Sequence, residues 1–476
     1  MSFIRYKTFN NKRYAYEVTS YWDTELKQSR SKSKYLGVVD SITNEIKQFI
    51  KKPQSKEKLL LDFGDGYFLN EFIKKSVFYP ALEKNLLSRI PELIPLIAYK
   101  IITQSAMKNC QSWLDYNVIK IFYNNINLTS QRISDILKVL GQDDVQREFF
   151  NDYSKTFNRI NKSVIIDATS LPTSIQHPFN AVGKSDSGLQ AQFKLLCVLD
   201  QQTKLPLFYR FLPGNITDIT TLKTTVLELK AMGIDNNLAI LDSGYFSEEN
   251  IKDMYDNKIN FITRIPNNRK IFKTNALQHF SNLEQIENIY TYGERSVFIK
   301  KLKIDLYAKH GYLYLILDPV KKMKDMQDLM LNYDNLSRKT KTSKANYTQL
   351  LSIVGIIGIV SSKSIPEKEI LSSYYLRQSV EQVFGFLKDD LNLLPIRHHN
   401  DDTIRGYLFL QFLALIFFIK IRENIKNTYT VEKILMILRG LKCKVFDDQI
   451  IPAELTKEQK YISKIYNIIV PKNLGI

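Results

Sequence analysis

The sequence predicts an α/β protein: a mixed-sheet core split by a β-rich insertion and preceded by a small β unit and a helical region. Two observations carry that prediction. Apolar runs at 164–169 (VIIDAT), 192–200 (QFKLLCVLD), 206–212 (PLFYRFL), 238–242 (LAILD) and 261–264 have the length and continuity of buried strands. Helical periodicity separates the last three of them, at 218–232 and from about Ser247.

Taken in order, residues 3–40 alternate apolar and polar positions, with turn signals at Asn10-Asn11 and near Asp23, and predict an antiparallel β unit within 1–50. Lysine and arginine punctuate its strands, so the sheet either grips DNA or presents a solvated face. Residues 51–160 read as helical and are expected to bind DNA. Within them 128–141 begins at a capping Thr129 or Ser130 and ends at Gly141, one helix of a bundle or of a helix-turn-helix. From 161 to 270 the order is three strands, helix, strand, helix, strand, that of a ribonuclease H-like core, with Asp218 as the cap of its first helix. Residues 271–345 read as a β-rich insertion (YTYGERSVFIKKLKI, YLYLILD) running into a charged helical piece over 320–343. The run 350–360 (LLSIVGIIGIV) is expected to return to the sheet as a strand, inside a second core segment of 346–425, and 426–476 forms a C-terminal tail. A helix starts at Glu367, just after Pro366.

A chain of 476 residues has room for two to four domains, and 44% hydrophobic with 24% charged residues excludes a disordered chain. The formal charge of +18 favours a polyanionic partner. An acidic membrane surface would also attract it, but the apolar run 407–419 is too short to span a bilayer and reads as a buried core helix. Residues 1–13 are polar and charged, unlike a secretory signal. Cys110, Cys197 and Cys443 lie far apart with no C-x-x-C spacing, which suits a reducing cytoplasm and excludes a zinc site.

The chemistry concentrates on the helix after Pro366. Tyr374, Arg377, Glu381 and Lys388 project onto an arc of about 60° of one continuous helix. A carboxylate among two cations and a phenol suits a metal ligand beside groups that grip phosphate; the plainer alternative is the solvated face of a helix that buries Val380, Phe384 and Leu387. Asp167 and Asp242 each end an apolar strand, where a carboxylate is costly unless a cation or hydrogen bonds satisfy it. A strand-end turn or helix cap would explain either alone. In the predicted sheet the first and fourth strands are neighbours, so the two would converge, with Glu381 approaching from the helix. Three carboxylates are what Mg²⁺ or Mn²⁺ prefer, and two such ions about 3.5–4 Å apart clamp an in-line phosphoryl transfer. Other candidates are weaker: His398-His399 has no third ligand, residues 183–188 (GKSDSG) lack the phosphate-loop spacing and read as a flexible loop, and Ser243-Gly244 has no nucleophile frame.

The spacing Tyr-x2-Arg-x3-Glu-x6-Lys resembles the signature helix of DDE transposases of bacterial and archaeal insertion sequences, the IS-four-like group. Asp167 in a D-A-T context, Pro213-Gly214-Asn215 followed by Asp218, Asp242-Ser243-Gly244-Tyr245, and Leu387-Lys388 with Pro395-Ile396 are similar to that group's pattern, over roughly 163–424. The resemblance implies a β-rich insertion between the second aspartate and the glutamate, which 139 residues accommodate. It implies Asp167, Asp242 and Glu381 as catalytic ligands of Mg²⁺ or Mn²⁺, two ions, and Tyr374, Arg377 and Lys388 as contacts to DNA phosphates. Cleavage of double-stranded DNA at an element's ends and strand transfer into a target follow, by a homodimer in the synaptic complex, in the cytoplasm at the nucleoid. Two alternatives stand beside it: a metal-dependent nuclease of the same fold, and a non-catalytic DNA-binding protein derived from a transposase.

Overall fold

The computed structural model describes residues 2–9, 12–24, 26–40, 45–48, 57–157, 162–185, 188–234, 236–331, 344–425 and 428–475. The turn expected at Asn10-Asn11, part of the 183–188 loop and the stretch 332–343 lie outside them. Two compact units emerge, one of Met1–Leu59 with Val445–Gln449 and Gly475–Ile476, the other of Leu60–Lys444 with Ile450–Leu474.

In the first unit β1 (Ser2–Phe9), β2 (Lys12–Asp23), β3 (Gln28–Val39) and β4 (Ile46–Gln48) form the expected antiparallel sheet, in that order. β1 is exposed along its whole length, and Ala15, Val18, Gly37 and Val39 are the buried residues of β2 and β3.

A short strand, β5 (Leu59–Asp62), precedes the helical region: α1 (Gly64–Lys74), α2 (Tyr79–Leu86), α3 (Ile90–Ile102), α4 (Cys110–Asp115), α5 (Ile119–Phe122), α6 (Ser130–Leu140) and α7 (Asp143–Ser154). α6 starts after Thr129 and stops at Gly141, as its sequence predicts, and buries Ile133, Ile136, Leu137 and Leu140. The helices pack as a bundle, with α3 and α6 both against the later α15 (Asp401–Asn424).

Strands β6 (Lys162–Pro172), β7 (Ala181–Ser185) and β9 (Pro206–Pro213) each pair antiparallel with β8 (Gly188–Asp200). After α8 (Asp218–Ala231), whose cap is Thr217 rather than Asp218, β10 (Asn236–Leu241) lies parallel to β6. α9 (Glu248–Asp256), capped by the Ser247 hydroxyl, leads to β11 (Asn260–Ile265), parallel to β10. The order β9-β8-β6-β10-β11 agrees with the predicted ribonuclease H-like arrangement, its first and fourth strands side by side. Val164, Ile165 and Ile166 in β6, and Ala239, Ile240 and Leu241 in β10, are buried in succession, so both faces of these central strands are covered.

The insertion follows α10 (Lys270–His279) as β12 (Ile289–Tyr292), β13 (Arg295–Asp305) and β14 (His310–Leu317), then α11 (Pro319–Leu331). Its strands do not form a separate sheet. They continue the main one through β15 (Ile356–Ser361), which pairs with β14 on one side and β11 on the other. Of the apolar run 350–360 only the second half is strand, since Leu350–Ser352 ends α12 (Lys344–Ser352). Residues 183–185, expected as loop, belong to β7.

The helix after Pro366 is interrupted. α13 (Glu367–Tyr375) gives way at Leu376-Arg377 to α14 (Gln378–Gly385), and residues Phe386–Asp390 wind as a π-turn. α13 lies over Val297, Ile299, Tyr314, Ile316 and Ile359 of the sheet, and α14 packs on β6. Tyr314 Oη donates to Ile365 O and accepts from Ile365 N, both at 2.7 Å, pinning the chain one residue before Pro366. α15 extends beyond the 13-residue run that marks it and reaches 24 residues. It is long and apolar enough to cross a membrane, yet 89% of its most apolar window is buried against the rest of the chain. The C-terminal stretch is folded rather than a bare tail, with α16 (Val431–Arg439) and α17 (Lys457–Ile465).

Candidate active site

Backbone register brings the two aspartates together. Ile166 of β6 lies opposite Leu241 of β10, so Asp167 and Asp242, the next residue along each chain, stand at the same level; Asp242 directly follows β10 as expected, whereas Asp167 does not end its strand, because β6 stays paired with β8 as far as Pro172. Two neighbouring carboxylates that are partly buried at a sheet are costly without positive charge or donors nearby. The positive charge is Arg377, at the joint between α13 and α14. Its Nη1 donates to Asp167 Oδ2 at 3.0 Å, its Nη2 is 3.0 Å from Glu381 Oε1, and its Nε is 3.7 Å from Asp242 Oδ1. One planar guanidinium thus faces three carboxylates from three elements, which its fork of donors allows and an ammonium would not. Burial disfavours the guanidinium's charge, but the attraction of Asp242 and Asp167, then of Tyr374 and Glu381, outweighs it and raises its pKa further.

Exposure grades outward. Asp167 and Arg377 are mostly covered, Asp242 is partly open, and the Glu381 side chain is 57% exposed. Two hydrogen bonds set the aspartates: Ala168 N donates to Asp167 Oδ1 at 2.9 Å, and Thr263 Oγ1 donates to the Asp242 carbonyl at 3.0 Å. Lys388 reaches back from the π-turn to Thr169 Oγ1 at 2.6 Å, two residues along β6 from Asp167 and so on the same face. An extra residue in a helical turn re-aims the side chains beyond it, and the π-turn has that effect here.

Tyr374 is 4% exposed and belongs to the core cluster of Ile262, Tyr314, Ile359, Ile370 and Leu371. Burial, then the nearby charge of Asp242, pushes its phenol up to about 12. Cys197, opposite Asp167 on β8, is buried, and burial followed by the charge of Asp167 pushes its thiol far up, leaving it unreactive. His398 packs its ring 5.0 Å from that of Tyr407, a packing contact.

Sequence reasoning therefore named the residues that converge, Asp167, Asp242, Arg377 and Glu381, with Lys388 beside them. It missed Thr169 and Thr263. The strand period from Asp167 would have flagged Thr169, whereas Thr263 depends on the β10–β11 register, which the sequence does not display.

The donor set fits a divalent cation: three carboxylates, oxygen ligands only, with two formal negative charges in excess of the single guanidinium. No ready-made cluster of three or more metal-binding side chains occurs among the described residues, and the three carboxylates converge on Arg377 instead.

The transposase DDE domain is the family whose sequence model matches this chain, over residues 161–417, and those bounds enclose β6, β10 and α14 with all three carboxylates. The chain belongs to that family and is an enzyme of the transposase kind. No curated protein matches it. A cryo-EM structure of a piggyBac transposase synaptic complex with hairpin DNA is similar at 10% identity, over 85% of this chain and 79% of that one. Its TM-score of 0.39 is too low for the likeness to carry an argument.

Proposed function

We propose that this chain cuts double-stranded DNA at the ends of an insertion sequence and joins the freed ends to a target, as a cut-and-paste transposase of the IS-four-like group. The observation that carries the reading is the convergence of Asp167, Asp242 and Glu381 on one guanidinium beside the end of β10, in a chain of the transposase DDE domain family. In the first step a water oxygen attacks a phosphorus at the element's end and a 3′ oxygen leaves as a hydroxyl. That hydroxyl then attacks a target phosphodiester, again in line, forming a new P–O bond while the bond to the target strand's own 3′ oxygen breaks and that oxygen leaves as a hydroxyl.

Asp167, Asp242 and Glu381 would hold Mg²⁺ or Mn²⁺, which when bound supplies Lewis-acid stabilisation of charge on the transferred phosphate. Lys388, tethered by Thr169, holds a positive charge beside the β6 carboxylate and would grip a phosphate as a point charge. Tyr374 sets the seat of α13 on the sheet, from which α14 carries Glu381. The exposed basic sheet β1–β4 and the helical region would bind the flanking DNA, and two copies would pair two ends.

Glu381→Gln tests the assignment with the DNA that flanks the gene as substrate and Mg²⁺ present. Wild type should give nicks at one defined end and joined products; the variant should lose both, by a factor of at least about 10³, while binding the DNA as before. Cleavage retained in Glu381→Gln sinks the assignment, and nicks without joining in the wild type make the protein a nuclease.

A further inference from the structure

We infer that Arg377 is a built-in counterion that competes with the divalent cation for the three carboxylates, and that DNA phosphate relieves the competition by drawing the guanidinium away. The inference rests on the reading of Asp167, Asp242 and Glu381 as the cation's ligands.

Three observations support it. First, one oxygen of each carboxylate is turned toward arginine: Arg377 Nη1 and Nη2 take Asp167 Oδ2 and Glu381 Oε1 at 3.0 Å each, and Nε faces Asp242 Oδ1 at 3.7 Å. A hard cation needs those oxygens turned toward itself at about 2.0–2.6 Å, and a fixed positive charge among them repels it. Second, the guanidinium cannot yield by losing a proton. Arginine stays charged throughout the accessible pH range. Only another anion can take it. Third, Arg377 sits at a joint. It caps α14 just after α13 ends, and its amide bonds to Tyr374 O at 3.1 Å in a turn between the two helices rather than in the middle of either. A side chain at such a break can be re-aimed by modest rotation about its own bonds while α14 holds Glu381 in place.

The consequence is reciprocal coupling. A phosphate that recruits the Arg377 fork uncovers the carboxylates, so DNA raises cation affinity and the cation raises DNA affinity by the same factor. A protein free of DNA then holds its carboxylates partly compensated by arginine and binds the cation more weakly, which keeps the hydrolytic centre unassembled until substrate arrives.

Mn²⁺ binding to the full chain without DNA, read from the electron paramagnetic resonance of the free ion, tests this. Arg377→Gln removes the competitor and should bind Mn²⁺ on the order of tenfold more tightly than wild type. Arg377→Lys keeps the charge but loses the fork and should fall between them. A duplex carrying the element's end should tighten Mn²⁺ binding to wild type and leave the Gln variant nearly unchanged. Asp167→Asn, alone and with Arg377→Gln, is the control on the underlying reading. If Asp167→Asn weakens Mn²⁺ binding but Arg377→Gln binds it no tighter than wild type, the competition is overturned while the carboxylates remain the ligands. A Lys variant that binds more tightly than the Gln variant also overturns it. If Asp167→Asn changes nothing in either background, the ligand reading falls and the inference with it.

Discussion

Lys100 is 1% exposed, and its Nζ donates to the Asn392 carbonyl at 3.4 Å and lies 5.7 Å from the centre of the Tyr407 ring. Among the described residues no carboxylate lies within ion-pair distance of it, and burial pushes its pKa down to about 8. The unfolded chain keeps that proton up to the ordinary lysine value of about 10.4. Between about pH 8 and 10.4 the unfolded state therefore binds more protons, and this group's contribution to stability rises with pH. Below the window its full cost is present; above it the cost is gone. Lys100→Met should stabilise the protein at pH 7 by about 1–3 kcal/mol, with the advantage shrinking toward pH 10.4. Urea midpoints of both proteins at pH 7 and pH 10 check this, and a difference independent of pH would refute the charge argument. Arg377 shows where reading single residues stops. A helical wheel gives the direction of a side chain but not what it meets, and its Asp167 partner is 210 residues away. The motif exposed the residue as chemically active, and only the tertiary fold shows that its charge is turned inward onto carboxylates.

At the scale of elements, α6 and α15 approach so closely that two glycines mark the contact. A Cβ on Gly406 would stand 1.9 Å from Leu137 O, and one on Gly141 would stand 1.9 Å from Asp402 O, both backbone atoms that cannot rotate away. Gly406→Ala must push the helices apart along a face that buries Leu137, Leu140 and Phe409, at a cost of about 1–3 kcal/mol. A fall in melting temperature of several degrees is expected, and an unchanged one would mean the helices part freely. Elements with a strong local signature were legible: β6, β8, β10 and β11 from their continuous apolar runs, α6 and α9 from their caps, α13 from Pro366. Elements defined by a partner were not. β7 is polar and glycine-bearing, and it is a strand because Ala181–Ser185 pairs with β8. The run 350–360 has no period that separates helix from strand, and the division at Ile356 comes from pairing with β14 and β11. The same pairing merges the insertion with the main sheet, since β14 finds its partner in β15 across the span that holds α11 and α12. Asp167 and Asp242 were legible because an acid directly after an apolar run breaks its pattern, but their shared level needed the β6–β10 register.

For the whole molecule the governing quantity is charge. With +18 spread from Arg5 to Lys472, binding to duplex DNA should release many counterions. The logarithm of the binding constant should then fall against the logarithm of salt concentration with a slope of about −0.9 for each phosphate neutralised, and steeper than about −5 overall. The first unit gives this a local test. Pairing places Arg5 opposite Tyr16, Lys7 opposite Tyr14 and Phe9 opposite Lys12, so Arg5, Lys7 and Lys12 share one face of the sheet. Tyr14 and Tyr16 flank Tyr35 on it, with centroids 6.2 and 5.3 Å away, and Lys7 Nζ lies 5.4 Å from the Tyr16 centroid. Cations over an aromatic floor, on a strand exposed throughout its length, suit a phosphate backbone. Replacing Arg5, Lys7 and Lys12 with glutamate should therefore make the salt slope shallower by about 2–3 units. Measured without divalent cation, so that no cutting intervenes, the change should appear equally on element-end and unrelated duplexes, because phosphate contacts carry no sequence. A shallower slope on the element end alone would mean that the sheet reads bases, and an unchanged slope on both would remove it from the DNA track and leave the charge of the second unit to account for binding.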